Sequence, residues 1–363
     1  MAAWRSHAYG SGEVRLERAR MPTIRRSDEV LVRVTAASLN PIDLAMLGGY
    51  GSRVLNVLRR FEGAEVEFPL VPGRDFSGVV ELAGRTAKLP VGTRVWGVLP
   101  PHRPGSLAQY VALPQRWAGP APDALDNLQA AGALYAALTA SSALRIAGLT
   151  GSAARGAPVL LLGLGGVGQA ALQLLVRRGS RVYVSCSGEQ ADTATALGAV
   201  AAFDRHSPDC DERLREASPF EVVLDCGGAG GWEASARPWR FSRYVTLSTP
   251  LLRECDERGL AMGTLTAATA FAAQTLAVFR VTAQSPSRAL CPPHVRWAYF
   301  MPNAVDIEML RRLADRGEFK VQVERVFPWQ EAPAAFEHLA KGHARGKVVL
   351  DFAAQPNEST PPV

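Results

Sequence analysis

Six consecutive residues, Gly163-Leu164-Gly165-Gly166-Val167-Gly168, carry the sharpest chemical signal in the chain. They follow the apolar run 159–162 and open the helically spaced stretch 169–176. Between a strand and a helix, a G-x-G-x-x-G turn cradles a dinucleotide diphosphate. Gly163 permits the tight turn, Gly165 lets backbone approach the pyrophosphate, and Gly168 lets helix and strand pack closely. The amides and dipole of the helix N-terminus favour the negative charge. The bland alternative is a glycine-rich turn that binds nothing.

The next strand ends Ser185-Cys186-Ser187, where an NAD enzyme places an acid on the ribose 2′-hydroxyl. A hydroxyl at Ser187 donates to a 2′-phosphate that a carboxylate repels. Arg205, closing the third strand, adds positive charge or is a plain surface residue. The balance predicts NADPH over NADH, although Glu189 stands two residues beyond Ser187.

These residues need a scaffold. Strand-like runs at 159–162, 181–185, 200–203 and 220–224 alternate with helical spacing. That pattern predicts an α/β fold with a Rossmann doubly wound parallel sheet. Before it, residues 29–39, 65–71, 78–83, 94–99 and 107–113 read as short strands, an all-β first portion. Later strands are expected at 244–247, 296–300 and 347–352, with helices at 306–316 and 329–340. The expected domains are 1–123 with 303–354 returning to it, and 124–302 for the nucleotide. Residues 355–363 read as a disordered tail.

Several stretches together resemble the medium-chain dehydrogenase/reductase superfamily, in its quinone-oxidoreductase branch. They are Ser38-Leu39-Asn40-Pro41-Ile42-Asp43, Gly73-Arg74-Asp75-Phe76-Ser77-Gly78-Val79-Val80, Tyr135-Ala136-Ala137-Leu138-Thr139-Ala140, Tyr244-Val245-Thr246-Leu247, Arg296-Trp297-Ala298 and Gly342-His343-Ala344-Arg345-Gly346-Lys347. The resemblance implies a GroES-like β-rich catalytic domain around a nucleotide domain, and hydride transfer from NAD(P)H to quinones or activated enones. It implies mitochondrial placement, with links to reticulon and ubiquinone biosynthesis. The first 34 residues hold seven Arg but also acids at 13, 17, 28 and 29, so no presequence is read there and a cytoplasmic location is the alternative.

Zinc-dependent relatives in this superfamily use an early Cys and the His of a G-H-E motif. Here Asn40 and Arg74 stand in those places, and a guanidinium repels a metal cation. No metal is expected, so the proton that follows hydride needs another donor. Tyr50, ten residues after Asn40, resembles the proton-donating tyrosine of enoyl reductases; its other use is a cleft wall. Asn40 either holds the nicotinamide ribose or substrate oxygen, or is a turn residue before Pro41. Thr139 borders the nicotinamide by the same resemblance, or lies in a core helix. His343, Ala344 and Arg345 reach the cofactor by resemblance, with Arg345 clamping the 2′-phosphate or serving as a helix-terminal cation.

The chain of 363 residues has a net charge of +6, from 40 Lys and Arg against 34 Asp and Glu. Only residues 88, 320, 341 and 347 are Lys. No block of like charge is long, so a solvated basic surface is expected and no nucleic acid. The five Cys form no C-x-x-C pair, which argues against a disulfide framework. Residues 259–279 are uncharged and read as a buried or half-buried helix, less well as a membrane span. A homodimer is possible through the aromatic strand near Trp297. The competing activities are an enoyl-thioester reductase, with Arg53, Arg59 and Arg60 around a coenzyme tail, and an NADPH-binding scaffold without turnover.

Overall fold

A computed structural model describes residues 1–10, 13–63, 67–282, 294–342 and 345–354. In chain order the elements begin with β1 (Ala2–Arg5), β2 (Arg15–Arg18), β3 (Glu29–Leu39), α1 (Pro41–Leu47), α2 (Ser52–Phe61), β4 (Asp75–Ala83), β5 (Arg94–Val98), β6 (Tyr110–Pro114) and β7 (Ala118–Pro120). There follow α3 (Asn127–Ala131), α4 (Leu134–Ile146), β8 (Pro158–Leu162), α5 (Gly166–Arg177), β9 (Arg181–Cys186), α6 (Ala191–Ala196), β10 (Ala201–Asp204), α7 (Cys210–Ala217), β11 (Phe220–Asp225) and β12 (Phe241–Thr246). The last are α8 (Leu251–Arg258), α9 (Leu260–Thr282), β13 (His294–Trp297), α10 (Ala304–Asp315), β14 (Val323–Pro328), α11 (Ala332–Ala340) and β15 (Lys347–Asp351).

The chain divides into two compact units, Met1–Leu138 with Pro302–Val363, and Thr139–Met301. Residues 124–138, whose Ala-rich composition suggested the second domain, thus group with the first. The reason lies in hydrogen bonds: Ser77 Oγ donates to the Asn127 carbonyl (2.8 Å), and the Tyr135 N–H donates to the Asp75 carboxylate (3.1 Å).

The first unit is built on a seven-stranded sheet in the order β14-β15-β3-β4-β5-β7, with β6 also on β3. Strand β3 pairs with β4 along one edge and is long enough to serve two partners along the other. Its residues 29–33 pair with β6 and its residues 36–39 with β15, with a register shift between Val34 and Ala36. Such a bulge bends a strand and re-aims its side chains. The first portion is not all-β. Asn40, just past β3, is the N-cap of α1, and Pro41, with its fixed φ, starts that helix. Both α1 and α2 escape a reading by alternation, because they are short and sit between turn residues. Of the strand expected at 65–71, residues 65 and 66 lie outside the described residues and 67–71 hold one bridge, between Ser6 and Leu70.

The second unit holds a six-stranded parallel sheet in the order β10-β9-β8-β11-β12-β13. This is the doubly wound order, with the first strand, β8, central. Val159, Leu160 and Leu161 are fully buried between β9 and β11, which is why the run is continuously apolar. The order reverses between β8 and β11, and ligands bind beyond the carboxyl ends of strands at such a switch point.

Helix α9 corrects an expectation. Of its residues Gly263, Ala267, Gln274 and Val278 are buried, while Leu260, Met262, Leu265, Phe271, Leu276 and Phe279 are exposed. It is long and apolar enough by length and composition to cross a membrane, and only one face packs on protein.

Candidate active site

In the second unit the chain leaves β8 at Gly163 with φ +91°, a left-handed conformation that disfavours a side chain. A Cβ there would also stand 2.9 Å from Gly227 Cα in the turn after β11. A Cβ on Gly168 would fall 2.2 Å from the Gly163 carbonyl oxygen. At Gly165, by contrast, a Cβ would meet nothing within 4 Å. Two glycines are therefore demanded by packing, and the third faces open space. Gly165 is the N-cap of α5 and no side chain caps that end. The first-turn residues Gly166, Val167 and Gly168 offer their amides there. Gln190 Nε2 (2.9 Å) and Gln169 Nε2 (3.2 Å) donate to the Leu164 carbonyl and shape the turn.

A carboxylate that sequence reading missed holds the facing turn. Asp225, at the end of β11, is fully buried. Its Oδ1 accepts from the N–H groups of Gly227 (3.1 Å), Gly228 (2.9 Å) and Ala229 (3.1 Å). Its Oδ2 accepts from Gly230 N–H and Thr246 Oγ1, both at 2.7 Å. Five donors on one carboxylate fix the loop against Gly163. An acid preceding two glycines at a strand end was the signal available.

A cavity of about 320 Å³ adjoins these turns, lined by Gly163, Ser185, Arg205, Ser207, Gly227 and Arg237 among others. That is the low end of the range for small-molecule sites. The glycine turn and the uncapped helix end suit a dinucleotide: Gly165, Gly166 and Val167 would hold its diphosphate, and Ser187, after β9, with Arg205 at the cavity, would face its ribose. Ser187 Oγ donates to Gln190 Oε1 (3.1 Å), and Arg205 Nε to His206 Nε2 (3.1 Å). One acid does reach this corner. Asp204 Oδ2 lies 2.9 Å from where a Cβ on Gly188 would sit, while its Oδ1 accepts the His206 N–H (3.0 Å). It comes from β10, not from the end of β9 where an acid was sought. Thr139 is buried on α4.

In the first unit the sheet registers bring another set together. Ser38 pairs with Asp75 across β3 and β4, and Leu39 with Val348 across β3 and β15. One step beyond, Lys347 meets Asn40: its Nζ donates to Asn40 Oδ1 (2.5 Å) and lies 3.8 Å from Asp75 Oδ2. Asn40 Nδ2 donates to Asp75 Oδ1 (2.9 Å), as does Ser38 Oγ. Asn40 is therefore bound inside a buried network, not held out on a turn. Lys347 had a signal, since it is one of only four Lys in a chain whose other 36 cations are Arg.

Arg74 is fully buried. Its Nε pairs with Asp43 (3.2 Å), Nη1 donates to the carbonyls of Pro100 and Arg103 (both 3.1 Å), and Nη2 to that of Val71 (2.9 Å). Burial lowers the Arg74 pKa and raises that of Asp43, each opposed by its partner. Tyr50 is half-buried, its N–H bonded to the Ala45 carbonyl (3.0 Å) at the end of α1. Burial first, then Asp43, raises the pKa of the Tyr135 phenol, with Asp75 and Tyr50 adding to the effect. Tyr135 thus stays a neutral phenol at ordinary pH. Arg59, placed at sequence level in a coenzyme-binding set, is instead buried against Glu67 (2.7 Å) and Asn56 (2.8 Å). Arg345 stands in the turn before β15, past the end of α11, and its N–H donates to Glu324. It is not a helix-terminal cation. His343 and Ala344 lie outside the described residues. Among the described residues, no group of three or more His, Cys, Asp and Glu is placed to hold a metal ion.

Residues 26–123 match the family "Alcohol dehydrogenase GroES-like domain", and residues 197–350 match "Zinc-binding dehydrogenase". The mitochondrial NAD(P)H oxidoreductase RTN4IP1 of Drosophila melanogaster is 38% identical over 96% of this chain and 86% of its own. The chain belongs to the medium-chain dehydrogenase/reductase family. Human NAD(P)H oxidoreductase RTN4IP1, also mitochondrial, is 36% identical over 97% of this chain and 89% of its own. Among solved structures, the quinone oxidoreductase of Coxiella burnetii superposes with a TM-score of 0.74 at 26% identity, covering 97% of this chain and 99% of the other. The quinone oxidoreductase of Thermus thermophilus, solved also in complex with NADPH, gives 0.68 at 25% identity, covering 97% and 100%. This medium-chain reductase is thus an NAD(P)H oxidoreductase with a GroES-like and a nucleotide-binding portion, and the relatives that share its expected mitochondrial placement are named as mitochondrial proteins.

Proposed function

We propose that the chain uses NADPH to reduce quinones or related activated enones without a metal. The observation that carries the metal-free part is the state of Arg74 and Asn40. One is a buried guanidinium with four acceptors, the other an amide tied to a lysine and an aspartate. Neither is available as a ligand. Quinone reduction is supported by the solved quinone oxidoreductases that share the fold at 25–26% identity. The bound cofactor supplies the hydride. The protein holds the diphosphate on the amides of Gly165, Gly166 and Val167. Tyr50, half-buried just past the end of α1, is the proposed proton donor.

NADPH over NADH rests on Ser187 and Arg205, with Asp204 the opposing charge. The test is NADPH oxidation with a panel of short benzoquinones, enones and enoyl thioesters, beside elemental analysis. Turnover of quinones or enones by a protein free of zinc is the expected result. Turnover confined to thioesters, cofactor binding without turnover, or stoichiometric zinc overturns it. The thioester reading is weakened by the pairing of Arg59 with Glu67.

Mitochondrial ubiquinone metabolism is the proposed setting. Reticulon is a proposed partner because the Caenorhabditis elegans relative, 34% identical over 97% of this chain, is named Reticulon-4-interacting protein 1. Strand β13 has β12 on one side, and among the described residues no strand on the other. Two copies pairing there would form the proposed homodimer.

A further inference from the structure

Buried charges need partners, and Lys347 has been given two. Its side chain is 8% exposed, Asp75 is fully buried and Asn40 nearly so. The antiparallel register of β15 on β3 pairs Val348 with Leu39, and one residue further the Lys347 side chain reaches Asn40. Its stem passes Gly132, where even a Cβ would stand 3.1 Å from Lys347 Cβ. That narrow passage suits an unbranched stem with a compact ammonium better than a planar guanidinium. Asp75 in turn accepts from Ser38, Asn40 and the Tyr135 N–H, so one carboxylate joins β3, β4 and α4.

We propose that Lys347 is a positioning residue for the reduction: its ammonium fixes the Asn40 amide and cancels the charge of Asp75. The inference rests on the reductase reading above. When hydride reaches a quinone, negative charge develops on its oxygen, and a proton then completes the hydroquinone as NADPH becomes NADP⁺. Lys347 neither gives nor takes a proton in this step. The groups around Asp75 are Lys347 on β15, Ser38 and Asn40 on and after β3, and the Tyr135 amide on α4. Asp43 and Arg74 form a separate pair next to it. With both pairs intact the cluster is neutral. Without Lys347 a lone buried carboxylate is left beside the Asn40 amide, and the reduction must build its negative charge without that compensation.

The experiment uses the full chain with NADPH and a short benzoquinone. Lys347→Met is expected to lower kcat by about tenfold or more, with the KM for NADPH nearly unchanged. Asp75→Asn combined with Lys347→Met removes both charges and is expected to recover most of that loss, whereas Lys347→Arg recovers part. A wild-type kcat in Lys347→Met, or a double variant no better than the single, overturns the role. A thermal double-mutant cycle on the same variants reads the clamp without turnover. Additive Tm losses overturn it, and coupled losses support it. If wild type reduces no acceptor but the cycle shows coupling, the reductase reading has failed and the clamp has not. If Lys347→Met fails to fold, recovery of folding by the double variant is the expected sign of charge compensation.

Discussion

At the scale of single residues, the nucleotide turn and the buried carboxylates differ in how much each atom is constrained. Gly168 has no freedom, because a Cβ would overlap the Gly163 carbonyl at 2.2 Å, a backbone atom that cannot swing aside. Gly168→Ala is expected to cost roughly 1–3 kcal/mol as an overpacked site and to abolish NADPH binding, read by urea denaturation and by cofactor fluorescence. Gly165→Ala should fold normally, since open space surrounds that position, but bind NADPH weakly. Equal binding by Gly165→Ala and wild type would remove the diphosphate from this turn. Arg205 carries the ribose argument. Its guanidinium is exposed and touches His206. Arg205→Ala should raise the KM for NADPH about tenfold while leaving that for NADH within about twofold, as loss of one charge-assisted contact implies. Equal changes for both cofactors would show that Arg205 does not read the 2′-phosphate.

At the scale of elements, what could be read from the sequence depended on the length and burial of each one. The run 159–162 and the turn after it were legible because a doubly covered strand is continuously apolar and the glycines are locally demanded. Helices α1 and α2 were not, since seven and ten residues between Pro41, Gly51 and Gly63 give too few turns for a clear period. The cluster of Ser38, Asn40, Asp75 and Lys347 was only partly legible. Asn40 and Lys347 lie 307 residues apart and meet through sheet register, which no local pattern records. Helix α10 offers a check on surface charge. Arg311, and with it Arg312, hydrogen-bonds Glu308 and lowers its pKa to about 2 from an ordinary 4.5. A depressed carboxylate stabilises the fold fully above its unfolded value and loses that contribution as pH falls from about 4.5 towards 2. The Glu308 side chain is 39% exposed, so water screens the network and its worth is well under about 1 kcal/mol. Wild type should therefore exceed Glu308→Gln slightly in Tm at pH 6, and the gap should narrow as pH falls below about 4.5 towards 2 and in high salt. A gap of the same size at pH 6 and pH 2 would place the effect outside this carboxylate.

At the scale of the whole molecule, the glycine turn, Ser187 and Arg205 lie in one compact unit, residues 139–301. Ligand that binds only the folded form stabilises by mass action, about 2.7 kcal/mol at a hundredfold excess over Kd. For a unit of this size that corresponds to a rise in Tm on the order of 5 °C. NADPH should therefore raise the melting transition of the second unit by this amount, and raise that of the first only as far as the two units unfold together. NADH should raise it less at equal concentration if the ribose corner favours phosphate over the nearby Asp204 carboxylate. Lys347→Met should leave the NADPH-induced shift intact, because Lys347 belongs to the other unit, even as it lowers turnover. Gly168→Ala should show no shift with either cofactor. A shift that survived in Gly168→Ala, or one that NADH produced as strongly as NADPH, would separate cofactor binding from the turn and from the ribose corner respectively.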